Sequence, residues 1–404
     1  MWNRILNFML PIGCILVACQ PVESVLPTAN VAVESTLAAP AAAQPLPTLE
    51  PAADVTAVAS PDPASTPVPE EVSVPAQDGV SISPAEVAGL VFDMGELVKV
   101  APDGTLISLY TRPVDILSAN GRYALTSGYG DYWMYDLLTG NLVKLNDTST
   151  REECCATWWT VHDDEVLMLS AVAGASVGVG SQGYLTVIGV DGTGYRVLDA
   201  DHPSAGTPAV SPDGTWIAYG MGETGWLFGG ELGPLPFDPA DYGLVSLKGQ
   251  QISHPAWSPD GTKIAWYWQG TLNVGPRRGV VIFDLVNRTY QMSALVEPGT
   301  EYLPAASPLW SPDGKWLAYL LEAKDAGDTG AWVMQADGAA DLVVHLGTGA
   351  LLPGAWSPDG MKLALSGRSG TDAPEGIWLA RTADWSLSPV DLLVIYGGKI
   401  FQWQ

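Results

Sequence analysis

Two glycine-rich motifs are the parts of this sequence whose spacing fits known catalytic chemistry. Gly174–Gly178 matches GxSxG, in which a serine on a sharp turn acts as a nucleophile. Gly178–Gly183 matches GxGxxG, whose glycines let the backbone approach a dinucleotide pyrophosphate. Both motifs require a helix directly after them, whereas Tyr184–Val190 is predicted to be a strand. We therefore interpret this stretch as a loop between strands and expect neither activity.

Cysteines and an acidic run offer two further chemistries. Cys154 and Cys155 are adjacent, so a disulfide between them would close a strained eight-membered ring. We favour two reduced thiols because of this strain. The strained disulfide is the alternative, since export would place the cysteines where disulfides persist. Asp163–Glu165 has carboxylates that could help to bind calcium, but a single acidic hairpin is typical of a solvated turn. The sequence thus predicts no cofactor and no metal.

Composition and charge argue against several classes of protein. The 404 residues include 44 acidic and 18 basic side chains, which gives a formal net charge of −26. This charge repels phosphate backbones and anionic membrane surfaces, so we expect no nucleic-acid partner. Sixteen tryptophans and 44 glycines, with only six phenylalanines, are typical of a turn-rich β protein. We therefore predict the all-β class.

The N-terminus has the features of an export signal. Arg4 is followed by the mostly apolar run Ile5–Ala18, and Leu16-Val17-Ala18-Cys19 resembles the bacterial lipobox. The resemblance implies a signal peptide over residues 1–18 and acylation of Cys19, which anchors a protein to a membrane without spanning it. We expect display on the extracytoplasmic side of the cell membrane or outer membrane. Ordinary secretion with cleavage near Ala18 is the alternative.

Residues 19–85 are expected to be a tether. The part from Gln20 to about Ile82 is rich in Pro, Ala, Val, Thr, Ser and Glu, and it has no aromatic or basic residue. Such a segment cannot bury enough apolar surface to offset the entropy of ordering it. We predict a disordered, Pro/Ala-rich spacer that ends where a folded domain, residues 86–404, begins.

A repeated turn dominates that domain. Four clean copies of Ser-Pro-Asp-Gly recur 46 to 53 residues apart, at Ser211–Gly214, Ser258–Gly261, Ser311–Gly314 and Ser357–Gly360. This period is close to the length of one four-stranded propeller blade. In each copy Pro presets the turn and Gly takes the left-handed position of a hairpin. Each copy, which we call an anchor turn, should join the two inner strands of a blade.

Degenerate anchor turns at Ser118–Gly121 and Val161–Asp164 bring the number to six. Residues 90–109 contain three further strand patterns without an inner strand, and Lys399–Trp403 is an inner-strand pattern without a blade. Together they predict a seventh blade built from both termini, which closes the ring and removes open edges. A six-bladed ring is the alternative.

The Trp-Ser-Pro-Asp-Gly unit, complete at Trp257, Trp310 and Trp356, resembles the TolB-like (WD40-like) propeller repeat. The resemblance covers roughly residues 88–404 and implies a fold, not a function. Prolyl oligopeptidase-type peptidases carry a similar propeller, but no residue here matches their catalytic positions. TolB has an α/β domain ahead of its propeller where this chain has a tether, so its partners cannot be carried over.

Histidines and one long insertion supply the remaining candidates. The four histidines lie at different places within their repeats, so we expect no shared metal site; they are His162, His202, His254 and His345. The insertion between Tyr219 and Leu244 is predicted either to contact a partner as an exposed loop or to fold over its own blade. The candidate binding residues are Trp226, Phe228, Phe237, Arg277 and Arg278.

The function predicted from these features is that of a membrane-anchored binding or protein-interaction scaffold, not an enzyme, with a protein or glycan as its ligand. The alternative is a glycan lyase or hydrolase that uses the central channel of the propeller. That alternative requires histidine or carboxylate side chains from several blades to converge on one point.

Overall fold

A computed structural model describes most of the chain after residue 80. The described residues are 71–73, 81–128, 131–145, 157–162, 165–171, 183–204, 207–220, 222–229, 232–244, 248–272, 275–293, 295–298, 307–323, 330–336, 343–348, 351–368, 375–392 and 398–404. The chain divides into two units, residues 1–46 and 47–404, and all described residues belong to the second.

The described residues form 29 strands and two short 3-10 helices, Pro84–Val87 and Pro239–Tyr242. The first fifteen strands are β1 (Glu71–Ser73), β2 (Leu90–Asp93), β3 (Leu97–Val100), β4 (Leu106–Tyr110), β5 (Ile116–Leu117), β6 (Tyr123–Gly128), β7 (Asp131–Asp136), β8 (Leu142–Lys144), β9 (Thr157–His162), β10 (Glu165–Ala171), β11 (Gly183–Gly189), β12 (Arg196–Ser204), β13 (Ala209–Val210), β14 (Ile217–Tyr219) and β15 (Gly225–Phe228). The others are β16 (Pro234–Phe237), β17 (Lys248–Trp257), β18 (Lys263–Leu272), β19 (Gly275–Asp284), β20 (Thr289–Met292), β21 (Leu309–Trp310), β22 (Trp316–Leu321), β23 (Gly330–Gln335), β24 (Val343–Thr348), β25 (Leu351–Trp356), β26 (Lys362–Gly367), β27 (Gly376–Arg381), β28 (Leu387–Pro389) and β29 (Lys399–Trp403).

Seven antiparallel sheets of four strands form the blades of a β-propeller. From the centre outward, blade 1 is β29-β2-β3-β4, and blades 2 to 7 take β5–β8, β9–β12, β13–β16, β17–β20, β21–β24 and β25–β28 in chain order. Inner strands of successive blades contact each other from β5 to β29. Val91, Leu97, Val114 and Ala124 pack between blades 1 and 2 and complete the ring.

The predicted seventh blade is confirmed. β29 pairs antiparallel with β2, with Trp403 opposite Leu90 and Lys399 opposite Asp93. The C-terminal strand is therefore the inner strand of blade 1, and the N-terminal strands supply the other three. The six-bladed alternative is wrong, because it places Leu90–Phe92 outside the ring.

Each clean anchor turn joins the two inner strands of a blade, as predicted. In blade 5 the Ser258 hydroxyl donates to Asp260 Oδ1 at 2.6 Å and accepts from the Lys263 backbone N–H at 2.9 Å. Gly261 has φ 70°, the left-handed conformation that glycine adopts without a steric penalty. The degenerate turn of blade 2 keeps this network with Asn120 in place of Asp. Local side-chain chemistry thus shapes the hairpin before the blades pack.

The tryptophans before three anchor turns join neighbouring blades. Each indole N–H donates to a backbone carbonyl on the inner strand of the preceding blade, always two residues before that blade's own anchor serine. The pairs are Trp257 with Ala209, Trp310 with Ala256 and Trp356 with Leu309, each at 3.0 Å. This repeated bond links blades 4 to 7 in register.

Chain ahead of residue 86 also pairs with the propeller. β1 adds in parallel to the outer strand of blade 6, with Glu71 opposite Val343. Next to the outer strand of blade 7, the Ile82 N–H donates to Pro389 O and the Asp391 N–H donates to Ile82 O, both at 2.9 Å. The end of the predicted tether therefore covers the outer edges of two blades.

Candidate functional site at the junction of blades 3 and 4

The described residues between Tyr219 and Leu244 supply the two outer strands of blade 4, so this segment is part of the blade itself and not a loop folded over it. It forms β15, β16 and the second 3-10 helix. Phe237 is only 2% exposed and stacks on Trp266 and Tyr242 at ring-centroid distances of 5.7 and 5.0 Å. Phe228 is half-buried in the cluster around Leu167 and Leu185. The expectation of an exposed apolar loop is therefore wrong for Phe237.

The two arginines predicted to assist binding have different surroundings. Arg278 is fully buried, and its guanidinium donates to Gln269 Oε1 at 2.8 and 3.1 Å. Burial lowers the pKa of Arg278, and the charge of Glu322 opposes that shift. Arg277 is partly exposed and donates to Pro276 O at 2.8 Å. Surface exposure was thus wrongly expected for Arg278, which fills the interior between blades 5 and 6.

Trp226 lies beside an irregular strand of the neighbouring blade. On β12, Asp199 pairs with Leu185 and Ser204 pairs with Gly183, so five steps along β12 face two steps along β11. The extra residues of β12 leave the regular ladder, as in a β-bulge, which redirects side chains and is common beside functional sites. The irregular segment includes His202, whose ring contacts Trp226 of blade 4.

Asp199 is the buried centre of this site. Its side chain accepts hydrogen bonds from the Asp201 N–H at 2.9 Å, from the His202 ring at 3.0 Å and from the Tyr219 hydroxyl. Burial alone would raise the pKa of Asp199, but the hydrogen bonds from Tyr219, Asp201 and His202 outweigh it and hold the pKa below its usual value. Asp199 is therefore an ionised acceptor. Burial and this carboxylate together raise the pKa of the Tyr219 hydroxyl, which stays a donor.

His202 is fixed by contacts on two sides. Because Asp199 is ionised, we assign the proton of His202 to Nδ1, where it is donated to the carboxylate, and Nε2 becomes an acceptor. The imidazole lies against the Trp226 indole with ring centroids 3.7 Å apart and an interplanar angle of 31°. The side chain of His202 is 32% exposed, whereas that of Asp199 is 2% exposed. The site thus presents an oriented imidazole and part of an indole to solvent.

The site lies toward the face opposite the anchor turns. The anchor turn Ser211–Gly214 precedes β14, and Tyr219 is the last residue of that strand. Sequence reasoning singled out Trp226 and His202 separately, and it missed Asp199 and Tyr219. No local pattern marks those two, because their contact joins the outer strand of blade 3 to the second strand of blade 4.

The described histidines lie in three blades: His162 and His202 in blade 3, His254 in blade 5 and His345 in blade 6. His254 is on the inner strand of blade 5, where Ser253 Oγ is 2.8 Å from its Nδ1. His345 is on the outer strand of blade 6 and stacks on Trp332 with centroids 4.4 Å apart. Across the described ranges, no group of three His, Cys, Asp or Glu side chains has the arrangement of a metal site.

Several predicted features lie outside the described residues: Cys19, Cys154, Cys155, Gly174–Gly178 and Asp163-Asp164. Gly183 begins β11, so a strand follows the glycine-rich motifs, as predicted. Among the described residues, no helix is long and apolar enough to span a membrane.

Comparison with known proteins shows the fold. Neither a protein-family model nor a curated protein sequence matches the chain. An oligogalacturonate lyase in complex with manganese is similar over 76% of this chain and 89% of its own, with a TM-score of 0.53 and 13% identity. This chain is a β-propeller. At 13% identity the likeness assigns no activity.

TolB proteins are also among the similar structures. A putative TolB from Agrobacterium tumefaciens is 13% identical over 73% of this propeller chain and 86% of its own, with a TM-score of 0.37. The similar structures thus include enzymes as well as TolB, and the fold is common to both.

Proposed function

We propose that this propeller is a binding scaffold, anchored through Cys19 on the extracytoplasmic side of the cell membrane or outer membrane. Its ligand is a protein or glycan that contacts His202 and Trp226. The lipobox resemblance supports the anchor, and the closed ring supplies a rigid platform for the site. TolB-type propellers are periplasmic, which fits an exported protein.

The observation that carries this proposal is the Asp199–His202–Trp226 arrangement. Burying a carboxylate is costly unless hydrogen bonds compensate, and the bulge gives up regular ladder bonds to provide them. A four-stranded blade needs neither feature, because the outer strand pairs of blades 2, 4, 5 and 7 have a regular register. The result is a fixed aromatic and hydrogen-bonding surface, and such preorganisation favours binding because little entropy is lost.

The alternative, a glycan lyase or hydrolase acting in the central channel, has less support. Two of the described histidines lie away from the channel, because His202 and His345 are on the outer strands of blades 3 and 6; His162 and His254 are on the inner strands of blades 3 and 5. The likeness to oligogalacturonate lyase concerns the fold.

The test is capture with matched variants. Purified full-length protein, immobilised, would be exposed to detergent-solubilised envelope proteins and, separately, to a glycan array. We expect His202→Ala and Trp226→Ala to lose at least tenfold of the specific signal. Trp133→Ala, which removes a partly exposed tryptophan of β7 in blade 2, should retain it.

Unfolding temperatures must accompany the binding data, because both site variants remove packing. If both variants are folded and capture the same ligand as the wild type with equal yield, the ligand does not use this site. If neither envelope nor array gives a signal above the background of an unrelated acidic protein, the binding role itself is contradicted.

A further inference from the structure

Two tryptophans of blade 5 are buried without a hydrogen-bond partner for the indole N–H. A buried indole N–H normally has an acceptor, because leaving the donor unpaired costs free energy. Five other described tryptophans donate this N–H to a backbone carbonyl: Trp257, Trp310, Trp356, Trp378 and Trp403. Trp266 and Trp268 are fully buried on β18, and among the described residues neither indole N–H has an acceptor.

Both indoles lie on the face of blade 5 that is turned toward blade 4. Side chains alternate along a strand, so Trp266 and Trp268 are on the same face of β18. Trp266 stacks on Phe237, which belongs to the outer strand of blade 4, with ring centroids 5.7 Å apart. Trp268 lies opposite Ile252 of β17, so these two side chains are neighbours on that face. The two unpaired donors are therefore in the seam between blades 4 and 5.

A glycine-rich hairpin of blade 4 covers this seam. We call residues 220 and 222–225, at the turn from β14 into β15, the blade 4 tip. A Cβ built on Gly225 would lie 2.8 Å from Trp266 Cη2 and 3.2 Å from Ile252 Cδ1. The backbone of the blade 4 tip therefore rests directly on these two side chains, with no side chain of its own at the point of contact.

An isolated backbone bridge joins the blade 4 tip to blade 5. The Gly222 N–H donates to Ile252 O at 3.1 Å, and the Ile252 N–H donates to Gly222 O at 2.8 Å. Gly220 and Gly222 have φ angles of 124° and 151°, which glycine adopts without a steric penalty. Small residues that absorb large changes of φ and ψ often form the hinges of segments that move over a site. Breaking the bridge would therefore let the blade 4 tip swing away from the indoles.

We propose that Trp266 and Trp268 line a second binding site, which takes a neutral glycan when the blade 4 tip moves away from blade 5. Oxygen atoms of the sugar would accept hydrogen bonds from the two indole N–H groups, and its C–H faces would pack on the rings, as in other mostly apolar sites with a few polar groups. The ligand stabilises the open conformation because it supplies the acceptors that the closed conformation lacks.

The chemistry of the seam selects this class of ligand. Phe237, Ile252 and the two indoles are uncharged, so an ionised group inserted among them would lack a counter-charge. The net charge of −26 also disfavours anionic ligands. A peptide segment would bring backbone N–H donors, for which these four side chains offer no acceptor. Ring and glycosidic oxygens of a sugar only accept hydrogen bonds, which matches the two donors.

The experiment follows the indole N–H signals by NMR. Full-length protein with nitrogen-15-labelled tryptophan, in a detergent without a sugar headgroup, would be titrated with cellohexaose, maltohexaose and chitohexaose. We expect at least one of them to shift the signals of Trp266 and Trp268. Trp266→Phe and Trp268→Phe each keep an aromatic ring and remove one donor, and each should weaken binding at least tenfold. Trp378→Phe is the matched control in blade 7, because the buried indole N–H of Trp378 donates to Gly367 O at 3.1 Å.

The unfolding temperatures of Trp266→Phe and Trp268→Phe should fall no further than that of Trp378→Phe, because an indole hydrogen bond is lost only in the control. In the free protein, the indole protons of Trp266 and Trp268 should exchange with solvent at least tenfold faster than that of Trp378, since the blade 4 tip opens without unfolding a blade.

Equal exchange of the three indole protons would contradict the opening. Three hexasaccharides that leave the signals of Trp266 and Trp268 unchanged overturn the inference, and so does equal binding by the wild type and the variants that lack these two donors. The site is separate from the one at Asp199 between blades 3 and 4, so His202→Ala should bind the hexasaccharide like the wild type. Loss of binding in His202→Ala would assign the signal to the site at Asp199 instead.

Discussion

Burial has opposite effects on the charge of two polar side chains in this propeller. Asp199 keeps its charge because three residues donate hydrogen bonds to it. His254 is buried on the inner strand of blade 5, and burial lowers its pKa to about 4. Its backbone also adopts φ 51°, a conformation that is uncommon outside glycine. His254 is therefore a neutral residue at a strained position.

The first prediction is a pH dependence of stability that His254 carries. The pKa of His254 is lowered in the folded state. The neutral imidazole therefore contributes fully to the free energy of unfolding above the pKa of the unfolded state, about 6.5, and this contribution is lost as the pH falls toward 4. Between pH 7 and pH 5 the loss amounts to about 2 kcal/mol. His254→Asn should remove this component, because asparagine does not titrate and tolerates a positive φ. Urea unfolding at both pH values measures it.

Carboxylate titration is common to wild type and variant, so the difference between their pH dependences isolates the histidine. Equal losses of unfolding free energy in both proteins would contradict a neutral, buried His254. The groups described around it are Ser253 and Tyr267, and neither carries a charge at these pH values.

For single residues, the sequence indicated which side chains were candidates for binding, but not whether the folded protein buries or exposes them. Arg278 was a candidate because it is a basic residue in a strongly acidic domain, yet it is buried and donates to Gln269 Oε1. Phe237 lies in the insertion for which an exposed loop was one of two expectations, whereas Pro234–Phe237 forms the outer strand of blade 4, a position at which prolines are tolerated. Burial depends on the partner strand, which a local window does not contain.

At the scale of elements, the seam between blades 7 and 1 depends on one glycine. Gly354 lies in an irregular part of β25, and a Cβ built there would be 2.4 Å from Ile400 Cβ on the closing strand. Such a contact is too short to be accommodated without movement. The inner strands of the two blades therefore approach each other as closely as the glycine allows.

The second prediction concerns this seam. Gly354→Ala should destabilise the propeller by about 1–3 kcal/mol, the usual cost of overpacking. It should also speed amide exchange of residues 399–403 before that of other blades. Gly376→Ala is the control, because a Cβ there meets nothing within 4 Å. Urea unfolding and hydrogen exchange provide the measurements, and equal behaviour of the two alanine variants would contradict a tight seam.

Elements with strong local chemistry were predicted well. The anchor turns combine a capping serine, proline and a left-handed glycine, so each hairpin is specified within a few residues. Lys399–Trp403 was predicted with the bounds that the structure has. β1 was not predicted, because Glu71–Ser73 is too short to show a pattern and forms only against β24.

At the scale of the whole molecule, closure of the ring of blades was predictable because it follows from the number of anchor turns. Six internal anchor turns with unmatched strand patterns at both ends leave one blade to be shared, and the ring removes open inner edges. The contact between blades 3 and 4 that builds the candidate site was not predictable in this way. It depends on the bulge in β12 and on which side chains of separate blades meet.

The last prediction concerns attachment of the whole propeller to a membrane. If Cys19 is acylated, its chains supply the binding energy, at about 0.8 kcal/mol for each buried CH₂ group, and stable anchoring takes more than one chain. Cys19→Ser should therefore move the protein from the membrane fraction to the soluble fraction and abolish the mass increase from acylation. Cys14→Ser, in the same apolar run, should change neither property. Because β1, the first described strand that joins the propeller, begins 52 residues after Cys19, both variants should unfold at the same temperature as the wild type. A Cys19→Ser protein that stays in the membrane fraction with the wild-type mass would show that another feature of the chain attaches it.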